Sequence, residues 1–171
     1  IHYGLRGTAG EIGHMSIDPN GPDCVCGQRG CLVKFVGSQA LSETTRRIGI
    51  SGAETDAFAV LAKRAKDADA LAVEICEDLV KNLATGLTSL VNVVAPRIIY
   101  LSGSILALGA PFLEQLQEQL RLRTLFGLGG DIKVKGTNHG HLAVAKGACG
   151  YVMCALFQDV RRLTFAFRES A

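Results

Sequence analysis

Four residues near the start of this 171-residue chain constrain its fold more than any others: His14, Cys24, Cys26 and Cys31. They stand in the order H-x9-C-x-C-x4-C, inside a stretch where Gly occurs at 4, 7, 10, 13, 21, 27 and 30 and Pro at 19 and 22. Such density of Gly and Pro marks turns and irregular backbone, not a regular element. A segment of this kind has little core of its own, so something else must hold it. Three thiols and an imidazole, joined by turns, suit the tetrahedral preference of zinc. Four protein ligands would fill the shell, so the ion would be structural and not hydrolytic. The competing reading of the cluster is a redox disulfide. The remaining thiols, Cys76, Cys149 and Cys154, fall singly in apolar helical patterns and read as buried. A secreted disulfide framework would be shorter and would spread its cysteines, so a reducing, cytoplasmic setting is expected.

The rest of the chain is patterned as alternating helices and strands. Helices are expected over 32–48, 53–66, 68–95, 111–122 and 142–157, with short strands over 97–101 and 131–134. The segment 68–95 is the most periodic: Leu71, Ala72, Ile75, Leu79, Leu83, Leu87, Leu90 and Val94 recur every three or four positions. Pro96 stops it. Asn82, Thr85, Thr88, Ser89 and Asn92 interrupt its apolar half, which argues against a membrane span. The helix at 142–157 carries one charge, Lys146, and reads as buried. The order predicts an α/β domain with a largely parallel sheet. With 18 Lys plus Arg against 16 Asp plus Glu, the chain lacks the basic excess of a nucleic-acid-binding surface.

Gly10-Glu11-Ile12-Gly13-His14, Gly21-Pro22 and Cys24-Val25-Cys26-Gly27-Gln28-Arg29-Gly30-Cys31-Leu32 together resemble the signature of the ROK family of repressors, open reading frames and sugar kinases. Further along, Gly86-Leu87 to Asn92 with Ala95-Pro96, the turn Ser102-Gly103-Ser104 and Gly147-Ala148 are similar to later family blocks. The resemblance runs to about residue 157. It implies a ribonuclease-H-like, actin-type ATPase fold, of which residues 1–171 form one C-terminal lobe: a zinc-binding loop at 1–31, an α/β core at 32–160 and a tail at 161–171. It also implies structural zinc on His14, Cys24, Cys26 and Cys31, sugar contacts from Glu11 and His14, nucleotide contacts from Ser102, Gly103 and Ser104, and assembly as a homodimer or larger oligomer.

Three departures shape the functional expectation. The phosphate loop and catalytic Asp of the family's kinases lie upstream of this region, and the chain opens Ile1-His2-Tyr3, which reads as the middle of a longer protein. Phosphoryl transfer needs both groups, so no catalysis is expected from this chain, and ATP would matter only to a kinase. The family's sugar-contacting Glu after the Cys block is here Val33, which cannot accept a hydroxyl hydrogen bond. The nucleotide-side G-G-G turn is here Ser-Gly-Ser. The expectation is the effector-binding and oligomerising part of a sugar-responsive transcriptional regulator, reaching DNA only through an upstream helix-turn-helix domain. The alternatives are part of an ATP-dependent hexose kinase and a zinc-stabilised assembly domain with no ligand. Three smaller signals read more simply: Glu11 could pair with Arg6, His139 and His141 suit a surface turn, and Arg161-Arg162 suit solvated surface.

Overall fold

The computed structural model describes residues 4–50, 54–139 and 142–158. They gather into two compact units, one ending at Gly136 and the other beginning at Thr137. In the first unit, short 3-10 turns at Leu5–Gly7 and Ile12–His14 precede α1 (Val33–Val36), α2 (Ser38–Arg47), α3 (Glu54–Lys66), α4 (Ala70–Val94), β1 (Ile98–Leu101), α5 (Ala110–Arg123) and β2 (Lys133–Gly136). The second unit contains α6 (Ala143–Gln158).

The 25-residue α4 is the spine of the first unit. Asp69 starts it: its carboxylate accepts from the backbone N–H groups of Leu71 at 3.1 Å and Ala72 at 3.3 Å, the bond set of an N-cap. The same carboxylate takes the Arg64 guanidinium at 2.6 Å, while Arg64 also donates to the Ile48 carbonyl at 2.7 Å. One side chain thus ties the ends of α2 and α3 to the start of α4. The helix ends with Ala95 in the left-handed region (φ 45°) and Pro96 beyond it. Leu79, Leu83, Leu87 and Val91 are buried and meet Phe58 and Leu61 of α3 and Phe112, Leu116 and Leu120 of α5 in one aliphatic core. Glu74, Glu77, Asp78 and Lys81 face solvent, as their spacing predicts. The two ends of the predicted stripe depart from expectation: Leu71 and Val94 are exposed, because the buried face enters the helix at Ala72 and leaves it at Val91.

β1 and β2 pair in parallel, Ile98 with Lys133 through Leu101 with Gly136. The α5 crossover that joins them is the βαβ arrangement a parallel pair requires. Gln117 of α5 fixes the return: its amide donates to the Gly129 carbonyl at 2.7 Å and accepts from the Val134 N–H at 2.9 Å. A 3-10 segment at Leu125–Gly130 and a turn through Asp131 delay the second strand by two residues relative to its expected start.

Three expectations need correction. The single helix over 32–48 is two, because Gly37 adopts extended backbone between them; a Cβ there would stand 2.3 Å from the Val33 carbonyl. Cys149 and Cys154 are exposed and Cys76 is half-buried, so the reading of three buried thiols fails for two of them. The apolar α6, expected to be buried, exposes Val144, Tyr151, Val152, Met153 and Phe157. It is the one α-helix described in its unit.

Candidate metal centre

The irregular first segment is stitched by backbone bonds that do not depend on a regular sheet. Isolated antiparallel bridges join Ser16 to Cys31 and Asp23 to Arg29. Ile17 N–H donates to the Gly30 carbonyl, Leu32 N–H to Met15 and Gly30 N–H to Pro22, each at 2.8 Å. Cys24 N–H donates to Gln28 at 2.9 Å and Gly27 N–H to Cys24 at 3.0 Å, closing a tight knuckle around Cys24, Val25 and Cys26. Arg29 braces it by donating to the Gly21 carbonyl at 3.1 Å. Gly30 has no substitute here: its φ is +61° and a Cβ would lie 1.6 Å from the Asp18 carbonyl oxygen.

The outcome is that one ligand atom from each of His14, Cys24, Cys26 and Cys31 lies within 4.8 Å of the other three. His14 Nδ1 is 3.5 Å from Cys24 Sγ, and Cys26 Sγ is 3.5 Å from Cys31 Sγ. Zinc bonds of about 2.3 Å to sulfur and about 2.0 Å to nitrogen would put tetrahedral ligands about 3.5–3.8 Å apart. The four atoms would therefore fit a single ion if the widest separations closed by about 1 Å. All three thiols are free.

The thiols differ electrostatically. Cys24 is drawn down to about 7 from the usual 9.0, first by the Cys26 backbone N–H, which favours the thiolate. Cys31 is pushed up to about 12, by burial and then by the two neighbouring sulfurs. Three thiols crowded this way resist joint ionisation on their own. A divalent cation removes the conflict, because it stabilises every thiolate it touches. This chemistry favours a metal over a bare cluster.

His14 also lines a cleft of about 480 Å³ between the knuckle and α2, together with Pro22, Val33, Ser38, Gln39 and Glu43. Val33 sits against Gly13, with its Cβ 3.5 Å from where a Gly13 Cβ would stand. Sequence reasoning did not single out Gln39 and Glu43. The available signal was their spacing of four on α2, which puts two polar groups on one face. Glu11 is exposed and lies outside the cluster; its carbonyl accepts the His14 N–H at 3.0 Å. No ion pair joins Glu11 to Arg6 among the described residues.

Ser102, Gly103 and Ser104 follow β1 as a separate turn, with Gly103 at φ +97° and a 3-10 turn over Ser104–Leu108. His139 approaches Lys146 Nζ at 3.4 Å. His141, Arg161 and Arg162 lie outside the described residues.

The geometry can be set beside known proteins. The xylose repressor of Bacillus subtilis (strain 168) is 28% identical over 155 residues, covering 90% of this chain and 39% of the relative. The crystal structure of a ROK family transcriptional regulator, a homolog of E. coli MLC protein, superposes with a TM-score of 0.65 at 27% identity, covering 79% of this chain and 36% of that one. The ROK hexokinase of Thermus thermophilus superposes with a TM-score of 0.66 at 27% identity, covering 83% and 46%. The chain thus spans about two-fifths of the length of the repressor it matches. The ROK family profile matches residues 1–154, and with it the loop, the α4 spine and the βαβ unit find their place: the chain belongs to the ROK family.

Proposed function

We propose that this chain is the effector-binding and assembly portion of a sugar-responsive ROK transcriptional regulator, with a structural zinc held by His14, Cys24, Cys26 and Cys31. The observation that carries the reading is the double position of His14. Its Nδ1 lies 3.5 Å from Cys24 Sγ, and the residue also lines the cleft shared with Gln39 and Glu43. Bound zinc would supply a fixed anchor for the loop and hold the ring in one orientation. The chain's own groups do the recognition: Nε2 of His14 offers one hydrogen bond to a sugar hydroxyl, and Glu43 and Gln39 offer acceptors and a donor from α2. In this reading Glu11, three residues before His14 and exposed on the loop, would add a further acceptor to the same ligand. Because the cleft spans the knuckle and α2, occupancy would change how tightly these two parts close, and a subunit contact could read that change.

The repressor relative supports the regulator reading. DNA recognition and cytoplasmic residence then belong to the full regulator, and DNA contact falls to a part outside these 171 residues. No described helix is long and apolar enough to cross a membrane. The Ser102–Ser104 turn, placed after a parallel strand, and the superposition on a hexokinase favour one second reading, a lobe of an ATP-dependent sugar kinase. Calorimetry with xylose, N-acetylglucosamine and glucose, with and without ATP, separates the two. Saturable sugar binding that ATP leaves unchanged supports the regulator; sugar binding tightened by ATP supports the kinase. Absence of heat with all three sugars refutes both and leaves an assembly role.

A further inference from the structure

A second cleft, remote in character from the first, opens between α3, α4 and the start of α5, with a volume of about 600 Å³. That size is typical of sites for small organic ligands, about 300–1,000 Å³. Its walls are aliphatic or aromatic: Ala62 and Ala65 of α3, Val73 and Cys76 of α4, Leu108, and Phe112 of α5. The space exists because α3 presents alanines where longer side chains would fill it. Burial and the neighbouring Glu77 push the Cys76 thiol up, so it stays neutral and counts as apolar wall. The rim is charged unevenly. Lys63 and Lys66 stand one turn apart on α3, with Glu77 on α4. None of these three forms an ion pair among the described residues. The rim therefore carries an excess of one positive charge, held beside an apolar floor. The adjoining groove between α4 and α5, which shares Glu77 and Gln115 with this cleft, is different: Asp78, Lys81, Glu118 and Arg123 line it, and it has no comparable apolar floor.

We infer that this cleft is an effector site for a small amphipathic monoanion, a carboxylate with an aliphatic or aromatic body. The body lies over Val73 and Phe112, and the headgroup meets the Lys63 and Lys66 ammonium groups at the rim. The floor includes Leu108, the last residue of the 3-10 turn that begins at Ser104. An occupant would therefore brace the segment carrying the Ser102–Ser104 turn. The inference does not depend on the sugar reading of the His14 cleft, since the two clefts share no lining residue.

The test is calorimetry of the full chain with decanoate below its micelle concentration, with decanol and decylammonium as neutral and cationic controls. Saturable 1:1 binding of decanoate is expected, with decanol about tenfold weaker and decylammonium weaker still. Lys63→Gln with Lys66→Gln should weaken decanoate about tenfold and leave decanol unchanged. Ala65→Trp, which fills the cleft, should abolish binding of both while retaining the circular dichroism spectrum. If that variant unfolds, the lysine pair decides alone, since both side chains are exposed. Equal affinity for decanol and decanoate, unchanged binding in the lysine variant, or no saturable heat would overturn the assignment. So would self-association of the wild type that Ala65→Trp abolishes, which would give the cleft to a second copy of the chain.

Discussion

Gly27 and Gly30 make a controlled experiment within one loop. Both have positive φ, +88° and +61°, so alanine at either is strained by about 1–2 kcal/mol. They differ in what surrounds them. A Cβ on Gly27 meets nothing within 4 Å, whereas one on Gly30 falls 1.6 Å from the Asp18 carbonyl oxygen and 2.6 Å from its carbon. Those atoms are main chain and cannot rotate away. Relief requires parting Gly30 from the Ser16–Asp18 segment, with loss of the Ile17-to-Gly30 and Gly30-to-Pro22 bonds. At about 0.5–1.5 kcal/mol each, these bring the total for Gly30→Ala to about 2–5 kcal/mol. The loop buries few apolar side chains, so folding and the proposed metal uptake would be coupled, and the cost would appear as lost affinity. Gly27→Ala should weaken zinc about 5- to 30-fold and Gly30→Ala about 30- to 5,000-fold, at 1.4 kcal/mol per tenfold. Competition against a chromophoric chelator reads both, and the cobalt-substituted protein reports ligand geometry through its d–d bands. Affinities for the two variants within threefold of each other would refute the argument that backbone contact at Gly30 closes the site.

Four further outcomes follow from the same structure. Metal analysis should give about one zinc per chain, falling with Cys31→Ser and unchanged with Cys76→Ser. Gly86→Val should destabilise the chain by about 1–3 kcal/mol in urea unfolding, because a Cβ at Gly86 already stands 2.6 Å from Leu32 Cδ2, and both residues are buried. Val33→Glu restores a carboxylate acceptor beside His14 and should tighten hexose binding about tenfold in calorimetry. Asp69 is held below the usual carboxylate range, chiefly by Arg64; its contribution to stability is present above about pH 4, the unfolded value, and is lost as pH falls through the lower folded value. Asp69→Asn should therefore flatten the acid limb of a melting-temperature profile between neutral pH and pH 2.5, and an unaltered limb would count against the Arg64 pairing.

The parts of this molecule that could be read from its residues are those whose cause is local. The spine α4 was legible because a helix repeats its demand every three or four positions, and because Pro96 marks its end by a mechanism that acts within one turn; the Asp69 cap at its start emerged only in the structure. The clustering of His14, Cys24, Cys26 and Cys31 was legible because a metal would need such donor atoms close together, and the glycines needed to fold the backbone around them stand in the same 31 residues. What was not legible depends on atoms far away in sequence. Gly37 looks like any helical glycine until the Val33 carbonyl behind it leaves no room for a side chain. Gln39 and Glu43 look like solvated surface until α2 is laid beside the knuckle. The exposed thiols of Cys149 and Cys154 carry the same lesson. Apolar periodicity states that a helix wants cover and does not state that cover is present.

Leu32 connects these two kinds of information. It directly follows Cys31, the last residue of the His/Cys cluster, and its side chain is 2% exposed, seated where Gly86 leaves a notch in the middle of α4. A glycine inside a helix costs about 1 kcal/mol relative to alanine, so its presence at position 86 needs a reason, and the contact with Leu32 supplies one. With the proposed zinc bound, the loop would be anchored twice, at the four-residue cluster by coordination and at its exit by packing into the spine. The second anchor fixes where the cluster sits relative to α2, and so sets the width of the cleft that His14 shares with Gln39 and Glu43. A truncation at Leu32 would consequently act on both. Leu32→Ala should cost about 2–5 kcal/mol of stability as a buried large-to-small change. It should also loosen ligand binding in the cleft while leaving zinc stoichiometry at one, because no ligand atom is removed. Loss of zinc together with stability would mean that packing, and not coordination, holds the loop closed.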